Sequence, residues 1–402
     1  MSSIRHTKRM SSKKIRHMGL LIVGVMLLAA NLRAPVTGVA PMIDMISESF
    51  SLSATQAGFL TTLPLIFFAC FAPPAALLTK KFGVELTIFA ALVLITFGIV
   101  VRSLGSVEWL FIGTAMIGLG VCIGNVLLPI IVKRDFPMKV ALMTSSYVLA
   151  MGVASASASA FSIPLAQYHD LGWQWSLAAL SVVGLVAMVV WLPQLAHNQK
   201  PSSVNSSSQV NVNLWTQKLA WQVAFYLGSG SFFTYTLVAW LPSILAQSGY
   251  SASEAGVIHG VFQIGTALPG LFVIPLVAKL SDQRLPAVGI CVIAGLSTVG
   301  LLYLPQLAYM WSFLLGLTSG AWFILGLSFI SFRTSSPVQA TTLSGMAQFL
   351  GYSLAAIGPM LAGYLHSLND GWIEVMVMIV SICLISSCLG LFAGRNIVIN
   401  EK

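Results

Sequence analysis

The chain has 402 residues, of which 57% are hydrophobic and only 8% are charged, and its formal net charge is +9. Soluble domains carry about a quarter charged residues, so this composition excludes a soluble globular protein and predicts a chain that crosses a membrane many times. The five cysteines lie singly in apolar segments, without a Cys-x-x-Cys pair or a nearby histidine cluster. We interpret them as small buried hydrophobes and predict no metal site and no cofactor.

Residues 1–18 form a basic tail that precedes an apolar run. This run is too long for the hydrophobic part of a signal peptide, so we predict a retained first helix. Stretches long enough to span a bilayer, about 20 residues, then recur between short polar breaks. They predict an all-α polytopic membrane protein with twelve transmembrane helices, at residues 19–46, 55–78, 84–102, 109–132, 140–165, 172–193, 217–246, 253–278, 286–304, 309–332, 340–366 and 371–394.

The longest polar gap lies in the middle of the chain and is rich in Ser, Asn and Gln. Because it has no hydrophobic period, we predict a flexible linker over 194–216. The linker separates an N-terminal six-helix bundle, 19–193, from a C-terminal six-helix bundle, 217–394, and residues 395–402 form a C-terminal tail.

The basic residues predict the orientation in the membrane. Eighteen of the twenty Lys and Arg fall on one side if both termini are placed in the cytoplasm. Arg102 alone falls outside, and Arg33 lies within a span. By the positive-inside rule we predict a multi-pass protein of the inner membrane with both termini cytoplasmic. The charge then faces an anionic leaflet, so nucleic acid is not an expected partner.

The two halves of the sequence resemble each other at an offset of 198 to 199 residues. Residues 53–58, SATQAG, match residues 251–256, SASEAG, and Gly-Trp pairs open the sixth and twelfth spans. Two like-oriented bundles related by an axis along the membrane normal are the layout of rocker-type secondary transporters. No Walker A loop, G-x-S-x-G or H-E-x-x-H motif occurs, so we expect a transporter and not an enzyme.

The span count, the central linker and the repeat resemble the major facilitator superfamily. Its signature loop between the second and third spans is matched in part by ALLTKKFGVE, residues 76–85, in which Lys80 replaces the usual aspartate. The corresponding loop of the second half keeps an acid at Asp282. The resemblance implies two pseudo-symmetric six-helix bundles with a substrate site between them.

Three further stretches are similar to the cyanate/nitroimidazole transporter family: NLRAPVTGVAP at 31–41, FLTTLPL at 59–65 and GNVLLPIIVKRDFP at 124–137. This resemblance implies alternating-access transport of a small anionic or planar polar solute by a monomer, with proton coupling expected from the superfamily. The alternative is a multidrug exporter of the same superfamily. A membrane-embedded carboxylate would favour that alternative, and the spans hold none at depth.

Arg33 is the leading site candidate because a charge near the middle of a span costs about 2.5–3.5 kcal/mol on insertion scales. Its planar fork suits an anionic or electron-rich planar solute. The alternative is a structural arginine that binds backbone carbonyls opened by Pro35. Other candidates for the substrate site are polar or polar-tipped side chains on several spans, each also compatible with plain packing: Asn31, Thr37, Asn125, Tyr147, Tyr235, Gln263, Trp322, Gln348 and Tyr352.

Proton-coupling candidates are His259, which shares a helix face with Gln263, and Asp44 near the outer end of the first span. Gate or latch candidates are Lys133, Arg134 and Asp135 at the end of the fourth span, together with Asp282. The alternative for the basic residues is a plain positive-inside anchor.

Overall fold

A computed structural model describes residues 12–170, 172–198, 214–277 and 279–399, and every regular element within these ranges is helical. The predicted tail residues 1–11, most of the predicted linker and residues 400–402 lie outside the described ranges. The α-helices are α1 (Ser12–Thr37), α2 (Ile43–Phe50), α3 (Ala54–Phe82), α4 (Val84–Arg102), α5 (Val107–Asp135), α6 (Val140–Gln167), α7 (Gly172–Trp191), α8 (Lys218–Gln247), α9 (Ala252–Ala267), α10 (Val273–Val277), α11 (Arg284–Tyr303), α12 (Ala308–Phe332), α13 (Pro337–Asn369) and α14 (Ile373–Ala393).

All twelve predicted spans are helical, but two of them are broken. The first consists of α1 and α2 around a 3-10 turn at Ala40–Met42, and the eighth of α9 and α10 around Leu268–Leu271. Within the described ranges, nine helical segments are long and apolar enough to cross a membrane. The other three predicted spans are α8, α13 and the broken α9–α10 pair. The first helix is already formed at Ser12, the first described residue, so it extends into the predicted basic tail, where Lys and Arg are good helix formers.

The sequence repeat appears as repeated local structure. Ser53 accepts a hydrogen bond from the backbone N–H of Gln56 at 3.2 Å, and Ser251 accepts one from Glu254 at the same distance. In both places the third-position side chain accepts in return from the serine N–H, at 2.9 Å. These two capping boxes start α3 and α9 at equivalent points of the repeat.

We call residues 12–198 the N-terminal half and residues 214–399 the C-terminal half. The terminal face carries the start of α1 and the end of α14, and the distal face is the opposite one. Helix α3 packs on α13 and α6 packs on α9, which joins the halves. Close approach depends on glycines: a Cβ added at Gly58 would lie 2.5 Å from the carbonyl oxygen of Pro359, and one added at Gly363 would collide with that of Ala54.

The hydrophobic cores show where the halves are joined. One core cluster lies within the N-terminal half and includes Leu28, Ile95 and Trp191. A second cluster fills the C-terminal half and also contains distal residues of the N-terminal half, such as Ile46 and Trp173. The halves therefore share a core at the distal face.

Candidate functional site

Arg33 lies two residues before Pro35, close to the end of α1 at Thr37. Its side chain is half-buried, and its Nη2 atom donates to Oε1 of Gln263 on α9 at 3.5 Å. This distance is at the long end for a hydrogen bond, so an incoming ligand can compete for the guanidinium. The carbonyl of Pro35, two residues further along α1, accepts from Nη1 of Arg102 at 2.7 Å.

Gln263 connects Arg33 to His259. The prediction that His259 and Gln263 share one face of α9 is confirmed, since Gln263 Nε2 lies 3.1 Å from His259 Nε2 and both side chains are fully buried. Because Oε1 of Gln263 accepts from Arg33, its Nε2 donates, and His259 Nε2 must be the acceptor. The arrangement therefore assigns a neutral imidazole with its proton on Nδ1.

Aromatic side chains from both halves surround this polar chain. Tyr235 on α8 and Tyr352 on α13 lie close enough to Arg33 to interact electrostatically with its charge. Tyr352 stacks on Phe68 of α3, with ring centroids 4.9 Å apart and planes 21° apart. Tyr147 on α6 and Tyr352 each pack against the core of the N-terminal half. All three tyrosines are half-buried. The result is a guanidinium beside aromatic walls, a combination suited to a small planar solute.

Asn125 is placed beside α1 by close helix packing. The neighbouring Gly124 abuts Leu32, which precedes Arg33. Asn125 is half-buried and donates from Nδ2 to the carbonyl of Val121 in its own helix at 3.0 Å. Its helix thus packs beside the Arg33 segment, and the described contacts include no hydrogen bond from Asn125 to Arg33.

Comparison with known proteins identifies the fold. The family model described as Major Facilitator Superfamily matches residues 20–359. The chain belongs to the Major Facilitator Superfamily. It is 44% identical to the "2-nitroimidazole transporter" of Escherichia coli (strain K12) over 94% of this chain and 96% of that one, and 25% identical to the "Cyanate transport protein CynX" of the same organism, over 88% and 91%.

A solved structure of the superfamily fold is the inward-facing, unoccupied bacterial homologue of the human lysosomal transporter Spinster. Its TM-score to this chain is 0.75 at 16% identity, covering 96% of this chain and 98% of that one. These matches confirm the predicted major facilitator fold and the predicted resemblance to nitroimidazole and cyanate transporters. The protein is a multi-pass membrane transporter for a small-molecule substrate.

Four other predicted site residues have no described hydrogen bond to the side chains of Arg33, Gln263 and His259. Asn31 is buried and donates to the carbonyls of Leu27 and Val183, so it joins α1 to α7. Thr37 donates to the carbonyl of Arg33 and accepts from Ser155 of α6.

The other two belong to the C-terminal half. Trp322 is fully buried between Tyr226 and Phe233, and its indole N–H donates to the carbonyl of Tyr226 at 3.0 Å. Its ring has no solvent-accessible surface in this structure. Gln348 is exposed one turn before Tyr352 and donates to Ser344 at 2.8 Å. It therefore lies on the Tyr352 face of α13, towards the terminal face.

Three of the four gate candidates form ion pairs, and none of these pairs joins the two halves. Arg134 pairs with Glu85 at the start of α4, at 2.5 Å, and with its neighbour Asp135, at 2.8 Å. Lys133 is exposed. Asp282 pairs with Arg284 at 2.9 Å across one exposed turn. Glu85 thus supplies a carboxylate in a loop where Lys80 replaces the superfamily's usual aspartate.

A matching pair in the second half was missed by sequence reasoning. Arg333 Nη2 donates to Oε1 of Gln283 at 2.5 Å, and both residues are buried. Arg134 and Arg333 are 199 positions apart, and Glu85 and Gln283 are 198 apart, which is the offset of the repeat. Extending the repeat alignment to the loops would have revealed both pairs.

Asp44, a proton-coupling candidate, joins the halves at the distal face. Both of its carboxylate oxygens accept from the hydroxyl of Ser243 on α8, at 3.0 and 3.1 Å. Nearby, Thr62 on α3 donates to the carbonyl of Ala356 on α13 at 3.0 Å. The periodicity of the first span carries no signal for this contact, because α2 follows a break in the helix.

Proposed function

We propose that this transporter moves a small anionic or planar polar solute, cyanate- or nitroimidazole-like, by alternating access. The observation that carries the proposal is the state of Arg33. Its guanidinium is half-exposed between the halves, and its described partner is a neutral amide at 3.5 Å. Among the described residues the ion pairs involve Arg134 and Arg284, not Arg33. A positive charge that no carboxylate neutralises is free to attract an anion or a nitro group.

The relatives support the same solute class. One carries the name of a 2-nitroimidazole transporter and another that of a cyanate transport protein, and both align with most of this chain. Cyanate is an anion, and a nitroimidazole is a planar ring with a nitro group. A bidentate guanidinium with tyrosines beside it complements both molecules.

Alternating access is supported by the placement of contacts between the halves. The hydrogen bonds from Ser243 to Asp44 and from Thr62 to Ala356 lie on the distal side of Arg33. We propose that the structure corresponds to the state closed at the distal face. Rocking would exchange these contacts for others at the terminal face, with Arg33 and Gln263 at the pivot.

For coupling, we propose His259 as the group that responds to a proton. Protonation would turn its Nε2 from an acceptor into a donor, which breaks the contact with Gln263 Nε2. The amide would then turn, and Arg33 would lose its neutral partner. Asp44 remains a second candidate, because neutralising it weakens the distal contact with Ser243.

The multidrug alternative is disfavoured by the position of the acids. The acidic residues of the described ranges lie near helix ends or in loops: Asp44, Glu48, Glu85, Glu108, Asp135, Asp170, Glu254, Asp282, Asp370 and Glu374. The site around Arg33 thus has a positive charge, and among the described residues no carboxylate pairs with it. We propose the terminal face as cytoplasmic, in an inner membrane, from the distribution of Lys and Arg. That the transporter acts as a monomer is proposed from the family resemblance alone.

Uptake into vesicles containing purified protein tests the proposal. Two charge-assisted hydrogen bonds, each worth about 1.5–3 kcal/mol, predict that Arg33→Ala lowers uptake of cyanate or 2-nitroimidazole roughly a hundredfold or more. Arg33→Lys keeps the charge but not the fork, so it should recover uptake of cyanate better than that of the planar nitro compound. Arg395→Ala, which changes a half-buried arginine of the terminal face, is the matched control. Full uptake by folded Arg33→Ala protein would exclude the proposal.

A further inference from the structure

A cavity lies between the two halves at the distal face. Its volume is about 450 Å³, which is enough for a small solute together with part of its water shell. The N-terminal half contributes α2 and the start of α3 to the wall, and the C-terminal half contributes the end of α8 and the turn between α13 and α14. We call this cavity the distal vestibule.

The distal vestibule lies on the route that a solute takes if the halves rock apart at this face. Ser243, which donates to Asp44, and Ala54, which Gly363 approaches closely, both belong to its wall. These contacts close the distal face. When they separate, the vestibule becomes the outer mouth of the route to Arg33.

The wall of the vestibule is negatively charged. Asp44 comes from one half and Asp370 from the other, and both are exposed. The described wall contains no lysine or arginine, and its basic side chain is His366, whose Nδ1 donates to the carbonyl of Gly371 at 3.2 Å. Two carboxylates outnumber one imidazole, so the wall stays negative in either protonation state of the histidine.

Among the described residues, no exposed lysine or arginine of the distal face offsets this charge. Of the twenty Lys and Arg, Arg102 alone falls on this side, and it is only 1% exposed. Helices α4 and α5 approach so closely that a Cβ added at Gly113 would collide with the backbone nitrogen of Arg102, and its guanidinium donates to Pro35 instead of facing water. The acids of the same side are Asp44, Glu48, Glu108, Asp170, Glu254, Asp370 and Glu374.

We propose that Asp44 and Asp370 make the distal vestibule a charge filter, which repels small anions and admits uncharged planar solutes. The inference rests on the proposed transport through the Arg33 site and narrows its substrate class on the distal side. One unit charge about 6 Å away changes the local concentration of an anion roughly threefold in water, and more in a less polar setting. An uncharged nitro compound therefore reaches Arg33 from the distal side more readily than cyanate does.

The first test measures the charge of the vestibule and needs no transport. Ala246→Cys places a thiol in the vestibule wall at an exposed position. Its reaction rates with a cationic and an anionic methanethiosulfonate of similar size are followed by mass spectrometry. The ratio of the cationic to the anionic rate, relative to a free thiol, should exceed one and should fall about tenfold when Asp370→Asn is added.

The matched control is Asp170→Asn. Asp170 and Asp370 are both exposed and have a left-handed backbone, with φ of 55° and 49°, which asparagine tolerates, but Asp170 is not part of the vestibule wall. This control should leave the ratio unchanged. A ratio that Asp370→Asn does not lower, or that Asp170→Asn lowers equally, would overturn the charge filter.

The second test measures transport into vesicles that expose the distal face outward. Asp370→Asn should lower the KM for cyanate about threefold, less at high salt, and leave its maximal rate unchanged. The KM for N-methyl-2-nitroimidazole, which has no ring N–H to lose, should stay the same. Equal shifts for both solutes would refute the filter. If the unaltered protein transports neither solute, the proposed function fails, while the thiol test still decides the charge of the vestibule.

Discussion

Gln263→Glu is the sharpest perturbation of the central site, because it changes one atom of the Arg33 partner and keeps its shape. Gln263 Oε1 already lies 3.5 Å from Arg33 Nη2. The substitution puts a carboxylate at that point and converts a neutral contact into an ion pair. Arg33 then attracts the introduced carboxylate instead of a substrate anion, so we expect loss of anion transport.

The geometry sets the size of the effect. Opposite charges 3.5 Å apart attract by about 4–5 kcal/mol at an effective dielectric constant of 20. This corresponds to roughly three orders of magnitude in binding. Burying the carboxylate offsets part of the attraction, so the expected loss of affinity for cyanate is about a hundredfold to a thousandfold.

The assay is cyanate uptake into vesicles, together with the thermal shift that cyanate causes in purified protein. The matched control is Gln222→Glu, because Oε1 of Gln222 accepts from Arg395 Nη2 at 3.4 Å at the terminal face. The same chemical change beside an arginine there should leave uptake unaltered. If folded Gln263→Glu protein binds cyanate as well as the unaltered chain, Arg33 does not supply the charge for the substrate.

Two further changes test the packing between and within the halves. Gly363→Ala should push the halves apart at the distal face, because the added methyl group would collide with the carbonyl oxygen of Ala54; the readout is a longer distance between spin labels there. Gly345→Ala on the same helix is the control, because it has open space around it and should leave that distance unchanged. Equal distances in both variants would contradict the closure. Gln283→Glu should raise the unfolding midpoint by giving buried Arg333 a carboxylate partner, worth about 1–2 kcal/mol. The reciprocal Glu85→Gln should lower it. A lowered midpoint in Gln283→Glu, or a raised one in Glu85→Gln, would refute the equivalence of the two pairs.

Hydropathy and residue spacing in the sequence were sufficient to predict the helical segments, the division into two bundles and one contact of the central site. Apolar runs of spanning length predicted the twelve helical segments, and the repeat predicted two like bundles. The four-residue spacing of His259 and Gln263 predicted their common face, since α9 keeps regular helical geometry through both residues. A charge in an otherwise apolar span singled out Arg33, which the structure places between the halves.

Only the tertiary structure decided which polar side chains meet. Lipid is as apolar as the interior of a helical bundle, so an apolar helix does not reveal which of its faces is turned inward. The sequence therefore did not show that Asn31 contacts α7 or that Trp322 is buried inside the C-terminal half. The Arg33–Gln263 contact joins residues 230 positions apart, and the burial of Arg102 depends on the approach of α5. The Arg33–Gln263 contact and the burial of Arg102 both depend on how the helices pack and on where the first span breaks. Neither can be predicted from a local sequence pattern.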